Sequence, residues 1–247
     1  MTKTYSKACK QIKAEYKKEK HKHGWRFLMC PADRLNAKTQ IALLTLNPGG
    51  SSDKQKKGEP SCEHGSAYVC ESWCGKKPGA APLQKQIRKL FEAIAANVDR
   101  VGDGDKLLLE SLAACYIPFR SKSINVLAQK KSVKGFAYRL WEPLFKEIDP
   151  LLIVTIDQMA TKAIKKILKE KLKCPAIPYK KPLKVGWGAY CADVFTFNAK
   201  QGKRVILRLP HLSRYQLFGR KNKESQKKIE KVISCAVRAS SLPKRTK

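Results

Sequence analysis

Apolar positions along the chain switch repeatedly between the unbroken runs of buried strands and the spaced stripes of helices. Residues 41–46 form a continuous apolar run that ends at Asn47-Pro48-Gly49-Gly50, the pattern of a buried parallel strand stopping at a turn. Leu83, Ile87, Leu90, Phe91 and Ile94 then recur at helical spacing. Residues 107–116 read as a second strand, and Phe136, Leu140, Trp141, Leu144, Phe145 and Ile148 as the next helical stripe. A third strand over 151–156 runs into a helix carrying Ala160, Ile164, Ile167 and Leu168. Residues 185–209 read as a hairpin turning near 198–202, with its second arm as the fourth strand. A last helix over about 221–238 carries Ile229, Val232, Ile233 and Ala236. Ahead of all these, Tyr5, Ala8, Ile12 and Tyr16 mark an amphipathic helix within 4–22, its other faces filled by lysines and its end set by Gly24.

Strands alternating with helices predict an α/β fold, a mostly parallel sheet covered on both faces. The expected organisation is a basic N-terminal helix over 1–24, one domain over 25–240 and a basic tail over 241–247. A chain of 247 residues is long enough for one full core. Composition changes the picture through charge. With 52 Lys and Arg against 20 Asp and Glu, the formal net charge is +32. Solubility does not need so much charge of one sign, so a polyanionic partner is expected, nucleic acid ahead of an anionic membrane. A structural RNA-binding protein would carry the same charge, so the activity stays open. No apolar stretch reaches membrane-spanning length and the lysine-rich start lacks a signal-peptide core, which predicts an intracellular, cytoplasmic protein with no membrane partner.

Three places carry candidate chemistry. At the first strand end, Asn47 stands above the strand's carboxyl terminus, Pro48 stiffens the turn, and Gly49 and Gly50 allow close approach of a ligand. At the fourth, a strand-like run from Val205 ends in Pro210-His211-Leu212-Ser213-Arg214-Tyr215 and holds one of four histidines. The loop Arg120-Ser121-Lys122 suits contact with phosphate. Separately, Cys62, His64, Cys70 and Cys74 fall within a short polar segment and could hold a structural zinc, with free thiols as the alternative. The other cysteines of the nine are scattered, as reduced thiols would be.

The two strand ends together resemble the two signature motifs of the uracil-DNA glycosylase superfamily. Thr45-Leu46-Asn47-Pro48-Gly49 is closest to the mismatch-specific and thymine-DNA glycosylase branch, and His211-Leu212-Ser213 stands where the family reads H-P-S, with leucine in place of proline. The resemblance covers roughly residues 25–240. It implies a three-layer α/β/α fold around a four-stranded sheet of order 2-1-3-4, and a monomeric DNA N-glycosylase that flips a base out of the duplex. No cofactor is implied for catalysis. Asn47 would hold the attacking water and His211 would hydrogen-bond the departing base. Leu46, Pro48, Gly49, Gly50, Ser111, Tyr116 and Phe119 would border the base pocket. Ser51, Arg120, Ser121, Lys122, Ser213, Arg214, Tyr215 and Arg220 would contact DNA, with Arg214 and Tyr215 filling the gap in the stack.

Two departures bear on the substrate. The uracil-strict branch places a tyrosine after the motif proline, closing the pocket at C5 of the base, where this chain has Gly49. That branch also reads the pyrimidine edge with an asparagine at the end of the second strand, near which this chain has Ser111, Leu112, Ala113 and Ala114. Both point to a C5-modified cytosine, such as the glucosylated hydroxymethylcytosine of phage DNA, excised in antiviral defence. The alternatives are repair of uracil or thymine mismatches, and a non-catalytic nucleic-acid-binding protein that keeps the fold.

Overall fold

A computed structural model describes residues 2–50, 58–123, 125, 127, 130–178, 181–200 and 202–243. Helix α1 (Lys3–Lys18) is capped by Thr2, whose hydroxyl accepts from the Tyr5 amide, and it buries Tyr5, Ala8 and Ile12. It ends well before Gly24, at Glu19, whose amide donates back to Glu15 and Lys17. Strand β1 (Trp25–Arg26) pairs in parallel with β3 (Gly58–Glu59) as a two-stranded ribbon. Between them come a 3-10 turn (Ala32–Arg34) and β2 (Ile41–Thr45). Short α2 (Ala67–Cys70), then α3 (Pro82–Ala95) and α4 (Gly104–Glu110), lead to β4 (Leu112–Cys115). Helix α5 (Lys130–Ile148), β5 (Leu152–Thr155) and α6 (Gln158–Lys166) follow, the last running into a π turn (Ile167–Lys171). The chain closes with β6 (Leu183–Lys184), β7 (Cys191–Ala199), β8 (Gly202–Arg208) and α7 (Lys223–Ala239).

The protein is a mixed α/β fold around a mostly parallel sheet. That sheet has six strands in the order β4-β2-β5-β8-β7-β6 rather than the expected four. Its parallel part, β4-β2-β5-β8, stands in the order 2-1-3-4. The two additional strands have a simple origin. The first arm of the hairpin over 185–209 pairs along its length with β8, from Asp193 opposite Arg208 to Ala199 opposite Gly202, so it belongs to the same sheet. Strand β6 then adds to its outer edge, antiparallel.

A second correction lies at 107–116. Leu107 and Leu108 belong to α4, and the strand begins only at Leu112. A run of leucines satisfies either period, and leucine is a good helix former. Ser111 ends the helix, its hydroxyl donating to the Leu107 carbonyl at 2.7 Å.

The central strands are apolar because both faces are covered: every residue of β2, β4 and β5 is buried. Helix α3 meets α7, while α5 meets α1 and the π turn after α6. Ile12, Phe27, Phe91, Trp141, Ile164 and Ile233 belong to one continuous core. Chain direction reverses its lateral course at β2: the first crossover goes outward to β4, and the next returns past β2 to β5. The gap between β2 and β5 is therefore the switch point, where side chains at the carboxyl ends of open α/β sheets border a crevice.

Candidate active site

Three side chains follow the carboxyl ends of adjacent strands at this edge: Asn47 after β2, Asp157 after β5 and His211 after β8. One strand separates the first from the last, so the ends of β2 and β8 stand about 10 Å apart across the sheet at ordinary strand spacing.

Asn47 is held by the loop that follows β4. That loop runs beside the Asn47 turn, with the Tyr116 amide donating to Thr45, Ile117 to Leu46 and Ser121 to Pro48. The Asn47 Nδ2 donates to the Pro48 carbonyl at 3.2 Å, the Ser121 carbonyl at 3.1 Å and the Ser121 hydroxyl at 3.1 Å. Two of these partners are carbonyl oxygens, which only accept, so the orientation of the amide is fixed. With its nitrogen engaged on the loop, the group presents Oδ1 as its acceptor. Ser121 is in turn buried, its hydroxyl donating to the Ser123 carbonyl at 2.8 Å.

Arg120 tightens the same turn. Its guanidinium donates to the Gly49 carbonyl at 3.0 Å and to Glu59 at 2.9 Å. Glu59 also lies 3.3 Å from Arg26, which makes a two-pronged bond to Glu71 at 2.8 and 2.5 Å. Burial alone would raise the Glu71 pKa, but hydrogen bonds from Arg26 and Trp73 outweigh it and hold the carboxylate below its ordinary range. A chain of four charges thus links the Asn47 turn to β1, β3 and the segment after α2. Gly50 takes φ +101°, a left-handed conformation open to glycine, and a Cβ built on Gly49 would meet no described residue within 4 Å.

His211 is placed differently. It is exposed, on a turn closed by the Arg214 and Tyr215 amides donating to its carbonyl, and anchored beneath by the fully buried Leu212. Its Nδ1 lies 2.9 Å from the Ser213 hydroxyl. Protein packed around the ring, and then the Arg214 cation, push the imidazole below its ordinary pKa, with Asp157 acting in the opposite direction. Asp157 caps α6, accepting from the Met159 and Ala160 amides at 2.6 and 3.1 Å. Sequence reading missed it, although an acid between a strand and a helical stripe is a cap signal.

The remaining predicted residues divide clearly. Leu46 and Pro48 sit in the Asn47 turn, partly and fully buried. Ser111 is at the amino end of β4, the opposite edge of the sheet from Asn47, so it does not border the pocket. Phe119 is core: it is fully buried against His21, Tyr16 and Phe136. Tyr116 is also buried, and burial, then Tyr138 and Asp157, raise the pKa of its hydroxyl. Arg120, expected on phosphate, faces inward in the charge chain. Lys122, Ser213 and Arg214 are exposed and free to meet a ligand. Tyr215 is half-buried, its hydroxyl donating to that of Tyr190 at 2.8 Å. Arg220 stacks over the Trp187 ring at 4.5 Å and donates to the Gly186 carbonyl. Ser51 lies outside the described residues.

The four predicted zinc ligands do not converge. Cys62 and Cys70 approach to 3.7 Å, but His64 and Cys74 are exposed. Among the described residues no group of three or more His, Cys, Asp or Glu is gathered as a metal ion needs. Burial, then Glu71 and Cys70, push the Cys62 thiol up to about 12. Protein groups hold the segment: Gln84 donates to the Ala67 and Glu71 carbonyls, and Arg26 grips Glu71.

A groove of about 600 Å³ lies between α3 and α7, lined by Lys89, Glu92, Phe218 and Lys231 rather than by the strand-end residues. Among the described residues no helix is long and apolar enough to cross a membrane. No protein-family model matches the chain, and no curated protein matches it.

Proposed function

We propose that the chain is a monofunctional DNA N-glycosylase of the uracil-DNA glycosylase type, acting as a monomer on duplex DNA inside the cell. The observation that carries this reading is Asn47, its amide nitrogen clasped by Pro48 and Ser121 so that Oδ1 is the acceptor at the switch point, one strand away from His211. Hydrolysis of an N-glycosidic bond needs a water held at the anomeric carbon and a donor to the base as negative charge develops on it. Asn47 Oδ1 accepts from the water and orients it. In the tautomer whose Nδ1 accepts from Ser213, a neutral His211 would carry its hydrogen on Nε2 and donate it to the departing base. The +32 formal charge supplies the attraction to DNA, with Lys122, Arg214 and Tyr215 at the mouth of the site.

For the substrate we infer a C5-modified cytosine, such as the glucosylated hydroxymethylcytosine of phage DNA, excised in defence. Support comes from Gly49, where a Cβ would meet no described residue within 4 Å and where uracil-strict enzymes place the closing tyrosine. The sheet would then form the middle of three layers, with the flipped base entering beside β2.

The test is single-turnover base release from duplexes carrying glucosylated hydroxymethylcytosine, uracil or thymine opposite guanine. Asn47→Ala and His211→Ala should each lower release by roughly a hundredfold to a thousandfold. Neither change removes a cation at neutral pH, so DNA affinity should stay near the wild-type value. Release of uracil or thymine alone would establish mismatch repair instead. Binding with no base freed from any duplex would leave the non-catalytic reading.

A further inference from the structure

We propose that the hairpin loop over 185–190, together with Tyr215, is a stacking platform for an unpaired nucleobase of a DNA strand passing the His211 turn. Topology places the loop there. Strand β7 runs antiparallel to β8 with Asp193 opposite Arg208, so the loop between β6 and β7 emerges at the edge where β8 delivers His211. The loop is closed by the Val185 amide donating to the Tyr190 carbonyl and the Tyr190 amide donating to the Trp187 carbonyl. Gly186 takes φ +76°, and a Cβ there would come within 2.7 Å of the Ser225 backbone, so the loop lies close against the start of α7.

Three aromatic rings gather on it. Tyr190 and Tyr215 lie 4.2 Å apart between ring centroids, and Trp187 lies 6.3 Å from Tyr215, edge-on. Arg220 covers Trp187 and ties back to the Gly186 carbonyl. Tyr190 is 45% exposed, one of only two large hydrophobic side chains so exposed among the described residues. A hydroxyl-to-hydroxyl bond fixes both tyrosines, so a ligand would meet rings that are already ordered. The chemistry of the neighbours selects the occupant. Lys184, Arg214 and Lys221 are exposed in the same segments, on a chain of net charge +32. Ordered aromatic rings beside cations are the pattern that binds unpaired bases through stacking and their backbone through charge.

The inference rests on the nucleic-acid partner proposed above and not on catalysis. Fluorescence anisotropy should compare a single-stranded thymidine dodecamer with an abasic strand of equal length and charge. The wild-type chain should prefer the strand that carries bases. Tyr190→Ala should weaken binding of that strand roughly fivefold to a hundredfold, leaving abasic affinity and its salt dependence unchanged. Tyr190→Phe should retain the preference. Equal binding of both strands by the wild type would overturn the platform, as would a Tyr190→Ala loss that is equal for both. A chain that frees no base yet keeps a Tyr190-dependent preference would retire the glycosylase reading and leave the platform standing. Base release with strand binding indifferent to Tyr190 would do the reverse.

Discussion

Asn47 and His211 both stand a few residues beyond a parallel strand, yet their turns are held by different means. Around Asn47 the support comes from far along the chain: Ser121 on its amide, Arg120 on the Gly49 carbonyl, and Glu59, Arg26 and Glu71 behind them. Around His211 it is local: two amides within the same turn, the Ser213 hydroxyl and a buried leucine. Under the proposed function the difference would match two kinds of work. A group that must hold one water at one point gains from a rigid mount. A group on a loop that meets an incoming strand can sit in the open, where exchange with the ligand is cheap in structure. The contrast has measurable consequences for stability, rate and titration.

The largest effect should come from breaking the charge chain. The Arg26 side chain is 6% exposed, and Glu71→Ala would leave its guanidinium with Glu59, 3.3 Å away, as its one carboxylate and with the Leu28 carbonyl at 3.4 Å. Removing one partner of a buried pair costs about 3–5 kcal/mol, and the surviving Glu59 places this case at about 3 kcal/mol. His211→Ala, at an exposed turn, should change stability by no more than about 0.5 kcal/mol. Urea denaturation of both variants measures the comparison directly. Equal losses would mean that the two turns are equally embedded.

Ser121→Ala should act more gently and on rate. It removes one of three acceptors from the Asn47 amide but leaves the Pro48 and Ser121 carbonyls in place. Stability should fall by about 1 kcal/mol, the net worth of a typical hydrogen bond. Base release should fall by about tenfold as the amide gains freedom, with duplex affinity unchanged. An unaltered rate would show that the two carbonyls suffice to position Asn47.

The sequence exposed one side of this contrast far better than the other. Strands β2, β5 and β8 were legible because burial on both faces leaves apolar runs with few other readings. The polar turns after β2 and β8 were legible for the same reason, since they interrupt those runs. What the periodicity could not resolve was Leu107–Leu109, where leucines serve a helix and a strand equally. It also could not place the first hairpin arm in the sheet, because polar and apolar residues mix along it and only Ala192 and Phe197 are buried, as in a surface ribbon. The charge chain left no local trace. Arg26, Glu59, Glu71 and Arg120 are distant in sequence, and each alone looks like a solvated charge until the fold joins them. Arg120 was therefore assigned to phosphate although it faces inward. Tyr190 and Trp187 were silent too, as single aromatics in a glycine-rich turn.

The smallest expected effect is also the most local, and it tests whether the His211 turn carries its own electrostatics. The imidazole pKa is lowered by surrounding protein and by Arg214, against the pull of Asp157. Folding therefore costs this ring its proton within a window bounded above by the ordinary histidine value and below by the folded one. In that window the unfolded chain binds the proton first, so stability falls as pH falls. Once the pH drops below the folded value, both states are protonated and the loss levels off. Arg214→Ala removes one of the two causes of the depression, so the His211 titration followed by NMR should move upward and the window should narrow. Asp157→Asn removes the opposing charge and should move it downward. Because the residue is exposed, salt should shrink both shifts. If Arg214→Ala leaves the titration in place, crowding by the protein alone depresses it. The local charge would then have no part in keeping the imidazole neutral at the strand end.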